Sequence, residues 1–253
     1  MNALSAQSSA RVKSTALVYC QPMENSRQRN RRELADRITT EARHQLAQVG
    51  PGQLSLRSVA RELGLASSAL YRYFPSRDAL LTTLITQAYD GLGQAAQDGD
   101  PGGRGDAGSR WLAVCRACRA WALAHPHELA LVYGSPVPGY AAPSTTIGPA
   151  ARVPRVMAGI LRDALADGEL TAPRRRVPHL PLITAATREV AGIVADPPYE
   201  DIVERSLVLW VVLIGALTFE LFGHLEQVVT DHASWFDAAM AVAAEGVGLT
   251  VPI

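Results

Sequence analysis

The chain has 253 residues, room for one large or two modest domains, and 48% of them are hydrophobic, ample for packed cores. Formal net charge is zero, but residues 1–80 hold 12 Arg or Lys against 6 Asp or Glu, and the remainder holds 12 against 18. Only three cysteines occur, so a disulfide framework is excluded, and a basic first third on an acidic remainder suits a globular protein of which one part meets a polyanion.

No basic start with an apolar core opens the sequence, and a cytoplasmic setting is expected. Leu207–Leu217 is the one run that invites a membrane reading. A span needs roughly 20 residues, which this run does not supply before Glu220 and His224 follow it, so a buried helix and no membrane partner are expected.

Residues 1–26 are polar and without periodicity and read as a disordered tail. The basic run Arg27–Arg32 leads into a helix with the apolar stripe Leu34, Ile38, Ala42, Leu46 and Val49, stopped by Gly50-Pro51-Gly52. Arginines in such a place suit phosphate or the minor groove.

Two short apolar runs follow at helical spacing: Leu56, Val59, Ala60 and Leu63, then Leu70, Tyr71 and Phe74. Only Gly64-Leu65-Ala66 separates them, which predicts two helices and a tight turn, with Gly64 supplying the left-handed conformation such a helix end needs. Ser55 and Ser67 are the candidate N-caps, and Pro75 ends the second helix. This is a helix-turn-helix, whose second helix enters the major groove of duplex DNA. Its small Ser68 and Ala69 can approach base edges, while Arg72 and Tyr73 can reach phosphates. Ser76 is expected to cap a third helix, and Arg77 in its first turn opposes the helix dipole, so a phosphate is its expected partner.

The stretch from Arg32 to Ile85, and above all Leu-Tyr-Arg-Tyr-Phe-Pro-Ser followed by a basic residue and Asp-Ala-Leu, resembles the DNA-binding domain of the tetracycline-repressor (TetR) family of bacterial regulators. The resemblance implies that Ser55, Arg57, Ser67, Ser68, Tyr71, Tyr73 and Arg77 face DNA, with Arg77 standing where lysine is commoner. It also implies a repressor released from a palindromic operator when a small hydrophobic effector enters the rest of the chain. In detail, Tyr71, Tyr73 and Arg77 are expected chiefly on phosphates, and Arg57, Ser68 and Ala69 nearest the bases.

The helix from Ser76 to about residue 96 carries Leu80, Leu81, Leu84, Ile85, Ala88, Tyr89 and Leu92, a stripe long enough to touch both the head and the body. Residues 97–109 read as a loop, Trp111–His125 as a helix, His127–Tyr133 as a short helix, and Gly134–Pro149 as a Pro-rich loop. Further helices are expected at Arg152–Asp167, near Leu182–Ala195, from about Tyr199 to His224, and from Asp231. No strand alternation competes, which makes the whole chain all-α: a helix-turn-helix domain at 27–75 and a helical regulatory and dimerisation domain at 76–253.

The long late helix is apolar on two faces, one with Val203, Leu207, Trp210, Ile214, Leu217 and Leu221, the other with Val208, Val212, Gly215, Phe219 and Phe222. Two apolar faces need two partners, so Val208, Val212, Gly215, Phe219, Trp235 and Met240 are expected in a homodimer interface. Trp121, Tyr133, Met157, Trp210 and Phe219, from separate helices, are the candidate walls of a ligand pocket with the Pro-rich loop at its entrance.

Cys115 and Cys118 form a C-x-x-C without a second ligand pair, so no metal and no cofactor are expected. The alternative they offer is a thiol-based redox sensor. His179, His224 and His232 are isolated, and neither a G-x-S-x-G elbow nor H-E-x-x-H occurs. An enzyme is therefore not expected, and a helical enzyme or small-molecule carrier is the competing class.

Overall fold

The computed structural model describes residues 26–173 and 182–253; the expected tail lies outside them apart from Ser26, as does His179. Eleven α-helices and no strand are found among the described residues. The head consists of α1 (Ser26–Val49), α2 (Leu56–Glu62) and α3 (Ser67–Tyr71). Then come α4 (Arg77–Gly99), α5 (Ala107–Ala124), α6 (Pro126–Tyr133), α7 (Ile147–Ala150), α8 (Arg152–Ala166), α9 (Ala185–Ala191), α10 (Ile202–Leu221) and α11 (His232–Glu245).

Local chemistry sets most helix ends. Ser55, Ser76, Asp106, Thr184 and Asp231 cap α2, α4, α5, α9 and α11 by accepting backbone N–H groups that have no partner in the first turn. Ser67 is not a cap: Ala66 holds that position, and Ser67 is the first residue of α3. Gly64 has φ 66°, and the Leu65 amide donates back to the Ala60 carbonyl at 2.8 Å, closing α2 in a left-handed turn. The Pro-rich stretch expected as pure loop contains a short helical element, α7, and its Tyr140 hydroxyl meets Thr82 Oγ1 of α4 at 2.9 Å.

Two hydrophobic clusters form. The first joins Ile38, Ala42, Leu46, Val59, Leu70 and Phe74 of the head to Leu80, Leu81, Leu84 and Ile85 of α4, with Leu131 and Val137 from the body. The second fills the body, with Leu92 and Ala96 of α4, Trp111, Leu161, Leu213 and Phe236. Leu70 and Phe236 are fully buried, each worth roughly 2 kcal/mol relative to exposure. α4 thus belongs to both cores. Two of its glycines let neighbours close in: a Cβ on Gly93 would meet Arg152 Cβ at 2.5 Å, and one on Gly99 would meet Ala117 Cβ at 2.6 Å.

α10 is, among the described residues, the one helix long and apolar enough to cross a membrane by length and composition. It packs instead on α5, α6, α8 and α11, burying Ile202, Val203, Leu209, Leu213, Ala216 and Leu217.

Candidate DNA interface and effector cavity

α2 and α3 hold the head's exposed polar groups on one short motif. Arg57, Ser67, Ser68, Tyr71 and Arg72 are exposed, while Ala69 and Tyr73 are half-buried. Small residues open α3, and its far end is crowded with cations: Arg31 of α1 lies over the Tyr73 ring at 5.9 Å, and Arg27, Arg31, Arg72 and Tyr73 line a shallow depression there. Phe74 is buried in the head core.

Two of the candidate contact residues have intramolecular duties. Ser55 Oγ accepts the Ser58 amide at 3.4 Å. Arg77 Nη2 donates to the carbonyls of Pro51 at 2.7 Å and Gly52 at 3.2 Å, and Nη1 lies 3.7 Å from Asp78. The expected conflict between Arg77 and the helix dipole is met by these carbonyls of the turn between α1 and α2. Spacing alone does not show that the turn folds back over the start of α4.

A cavity of about 590 Å³ lies between α4, α6, α7, α8, α9 and α10. Tyr133, Met157 and Trp210 line it, together with Tyr89, Leu207 and Ser206. Tyr89 meets the Tyr133 ring edge-on at 5.8 Å, and Tyr133 meets Trp210 at 6.3 Å, so one wall is a continuous aromatic run. Trp121 and Phe219 do not line it. Trp121 stacks on His125 at 4.8 Å, and Phe219 is 54% exposed on the outer side of α10. Residue type identified aromatics on separate helices, but only the packing shows which of them point inward. Tyr89 had the right residue type and was absorbed into the expected core stripe of α4. α7, not the loop before it, borders the cavity, through Ile147 and Ala150.

The outer face of α10 carries Val208, Val211, Phe219 and Phe222, all exposed, with Val212 and Gly215 half-buried beside them. Trp235 and Val242 of α11 are exposed as well. Met240, expected on the same face, is fully buried, and its carbonyl accepts the Trp111 indole N–H at 3.1 Å. Trp235 and Val242 are seven residues apart on one side of α11, whereas Phe236 and Met240 form an i, i+4 pair on the other.

Cys115 and Cys118 are free thiols inside the body core. Burial pushes both up, Cys118 to about 12, which keeps them as unreactive thiols at neutral pH. Among the described residues no group of His, Cys, Asp and Glu is arranged to hold a metal ion.

Head and body together define an all-helical, DNA-binding transcriptional regulator. The model of bacterial regulatory proteins of the tetR family matches residues 38–84, and that of the tetracyclin repressor-like C-terminal domain matches residues 111–243. The HTH-type transcriptional regulators Rv1816 of Mycobacterium tuberculosis and Mb1846 of Mycobacterium bovis are each 36% identical to the chain over 225 residues, covering 87% of it and 94% of themselves. Among solved structures, regulatory protein SCO4313 is similar with a TM-score of 0.66 and 30% identity, over 87% of this chain and 100% of that one. A Rhodococcus sp. RHA1 protein shares the fold, with a TM-score of 0.64 at 23% identity over 90% of this chain and 99% of that one. The chain belongs to the TetR family. It is a transcriptional regulator that binds DNA, and not an enzyme.

Proposed function

We propose that the protein is a cytoplasmic, homodimeric repressor that reads a palindromic operator and is released when a small hydrophobic molecule enters the body cavity. The observation that carries this reading is the position of α4. Its first half completes the head core, and its Tyr89 lines the cavity, so one rigid element touches both sites. A ligand that fits only one placement of α4 shifts the population toward it, and the coupling is reciprocal.

In this reading Arg57, Ser67, Ser68 and Ala69 approach the bases, while Tyr71 and Tyr73 engage phosphates. Ser55 and Arg77 support the motif from behind through the α2 cap and the α1–α2 turn. The outer face of α10, with Trp235 and Val242 of α11, packs on its symmetry mate, and the two heads then address half-sites roughly 34 to 36 Å apart. Selection of bound duplexes from a random pool, followed by footprinting, should yield an inverted repeat of that spacing. A ligand that fills the cavity should lower operator affinity. A compound that occupies the cavity and leaves operator affinity unchanged would refute the release mechanism.

A further inference from the structure

The chemistry of the cavity narrows the class of its occupant, an argument that rests on reading the cavity as the effector site. Among the described residues, no Asp, Glu, Lys, Arg or His lines it. An ionic ligand would therefore lose its hydration without gaining a counter-charge. Most of the wall is Ala, Val, Leu, Pro and Met, which favours an apolar body.

The polar groups in the wall are few, and two are already engaged. Ser206 Oγ donates to the Val203 carbonyl at 2.6 Å, and the Thr187 hydroxyl meets that of Thr184 at 3.0 Å. Trp210 differs. Its Nε1–H is buried and makes no hydrogen bond, although an indole can only donate and a buried donor without an acceptor is costly. The neighbouring Tyr133 hydroxyl draws on that N–H without reaching hydrogen-bond geometry, and burial, with Tyr89 nearby, holds Tyr133 well above the usual phenol range. Both phenols stay protonated and able to donate. The aromatic corner of the cavity thus offers donors and lacks an acceptor.

We propose that the effector is an uncharged, largely apolar molecule with a ketone or ester carbonyl, whose oxygen accepts from Trp210 Nε1 and the Tyr133 hydroxyl. The carbonyl supplies the acceptor that the indole lacks, and the apolar remainder fills the space toward α7, α8 and α9. A carboxylate of the same size has the acceptor but brings a charge that nothing in the wall balances.

Three probes of similar shape separate these requirements on the full chain by calorimetry: benzophenone, diphenylmethane and 4-benzoylbenzoate. Benzophenone should bind about tenfold more tightly than diphenylmethane, the worth of one hydrogen bond to an already desolvated donor. 4-Benzoylbenzoate should bind more weakly than benzophenone by at least that factor. Trp210→Phe should erase the ketone advantage and bring the two neutral probes to equal affinity. Equal affinity for ketone and hydrocarbon in the wild-type chain, which needs no variant to fold, would overturn the proposal while leaving the cavity as an effector site. A carboxylate bound as tightly as the ketone would do the same. Binding of the ketone with no loss of operator affinity would support the ligand class and refute the effector reading. Failure of all three probes to bind would overturn both.

Discussion

Arg43 of α1 reaches across to Glu128 of α6, Nε to Oε1 at 3.1 Å, while its Nη2 donates to Gln87 of α4 at 2.6 Å. One guanidinium therefore ties a head helix to two body helices, and both of those also line the cavity, through Tyr89, Val132 and Tyr133. Partly exposed ion pairs contribute little to stability, so Glu128→Gln should change unfolding free energy by less than about 1 kcal/mol. Its effect should fall on communication. The drop in operator affinity caused by a cavity ligand should shrink in the variant, as read by gel shift with and without ligand beside a urea melt. An unchanged ligand response would show that α6 and α1 are not coupled through this pair.

Arg77 makes a second, separable prediction. A phosphate contact, once removed, lowers the slope of log affinity against log salt by about 1. A clasp on the Pro51 and Gly52 carbonyls, once removed, loosens the turn and weakens binding without that change. We expect Arg77→Ala to weaken operator binding with its salt slope unaltered, and Tyr71→Phe to leave the turn intact.

Arg110 and Asp100 give the body a pH signature. Arg110 is 5% exposed and makes paired hydrogen bonds to Asp100 at 2.8 and 2.9 Å, with Asp163 on its other side. The hydrogen bonds from Arg110 hold the Asp100 carboxyl below its ordinary range. A carboxylate depressed in the folded state stabilises above its unfolded pKa, near 3.9, and that contribution is lost as pH falls through the lower, folded value. Urea melts at pH 7 and pH 3 should show Asp100→Asn with a smaller acid destabilisation than the wild type. Arg110→Met should cost roughly 3 kcal/mol at pH 7, because it strands Asp100.

The apolar outer face of α10 predicts association. Val211 is 61% exposed, so Val211→Glu leaves the protomer core untouched and places a charge where the symmetry mate is proposed to pack. Sedimentation should show a dimer for the wild type and a monomer for this variant at micromolar concentration, with specific operator binding lost. A wild-type monomer would remove the dimeric reading altogether.

The two buried cysteines predict insensitivity to oxidant. With both thiols held in the protonated form inside the core, an aromatic disulfide reagent should label neither at an appreciable rate before unfolding. Operator affinity should be the same with and without mild oxidant. Rapid labelling with loss of binding would restore the thiol-sensor alternative.

The head was legible in the sequence because its determinants are local. Gly64 between two apolar runs, Ser55 and Ser76 as caps and Pro75 as a stop each act within a few residues, and the helices formed around them. The helical class and most helix limits of the body were legible for the same reason. What spacing left unresolved was direction. Met240 and Trp235 have the same apolar character and face opposite ways, and Trp121 and Phe219 point away from the cavity that Trp210 enters. Arg77 shows the same limit, since its carbonyl partners lie 25 and 26 residues away in sequence. Which way a side chain points on a helix with two apolar faces is decided by distant partners, and no short-range pattern carries that information.

The close approach of α4 to its neighbours at Gly93 and Gly99 also fixes where that helix can turn. With Arg152 Cβ and Ala117 Cβ pressed against bare backbone, α4 is pinned at its body end and cannot slide along its axis there. Motion of its head end is then a swing about a fulcrum. From Gly93 to Arg77 the arm is roughly 24 Å at the helical rise, so a tilt of about 5° carries the start of α4 through on the order of 2 Å. Two such arms in a symmetric pair change the separation of the reading heads by up to about twice that, a mismatch with the fixed pitch of the duplex that no side chain at the interface has to sense directly.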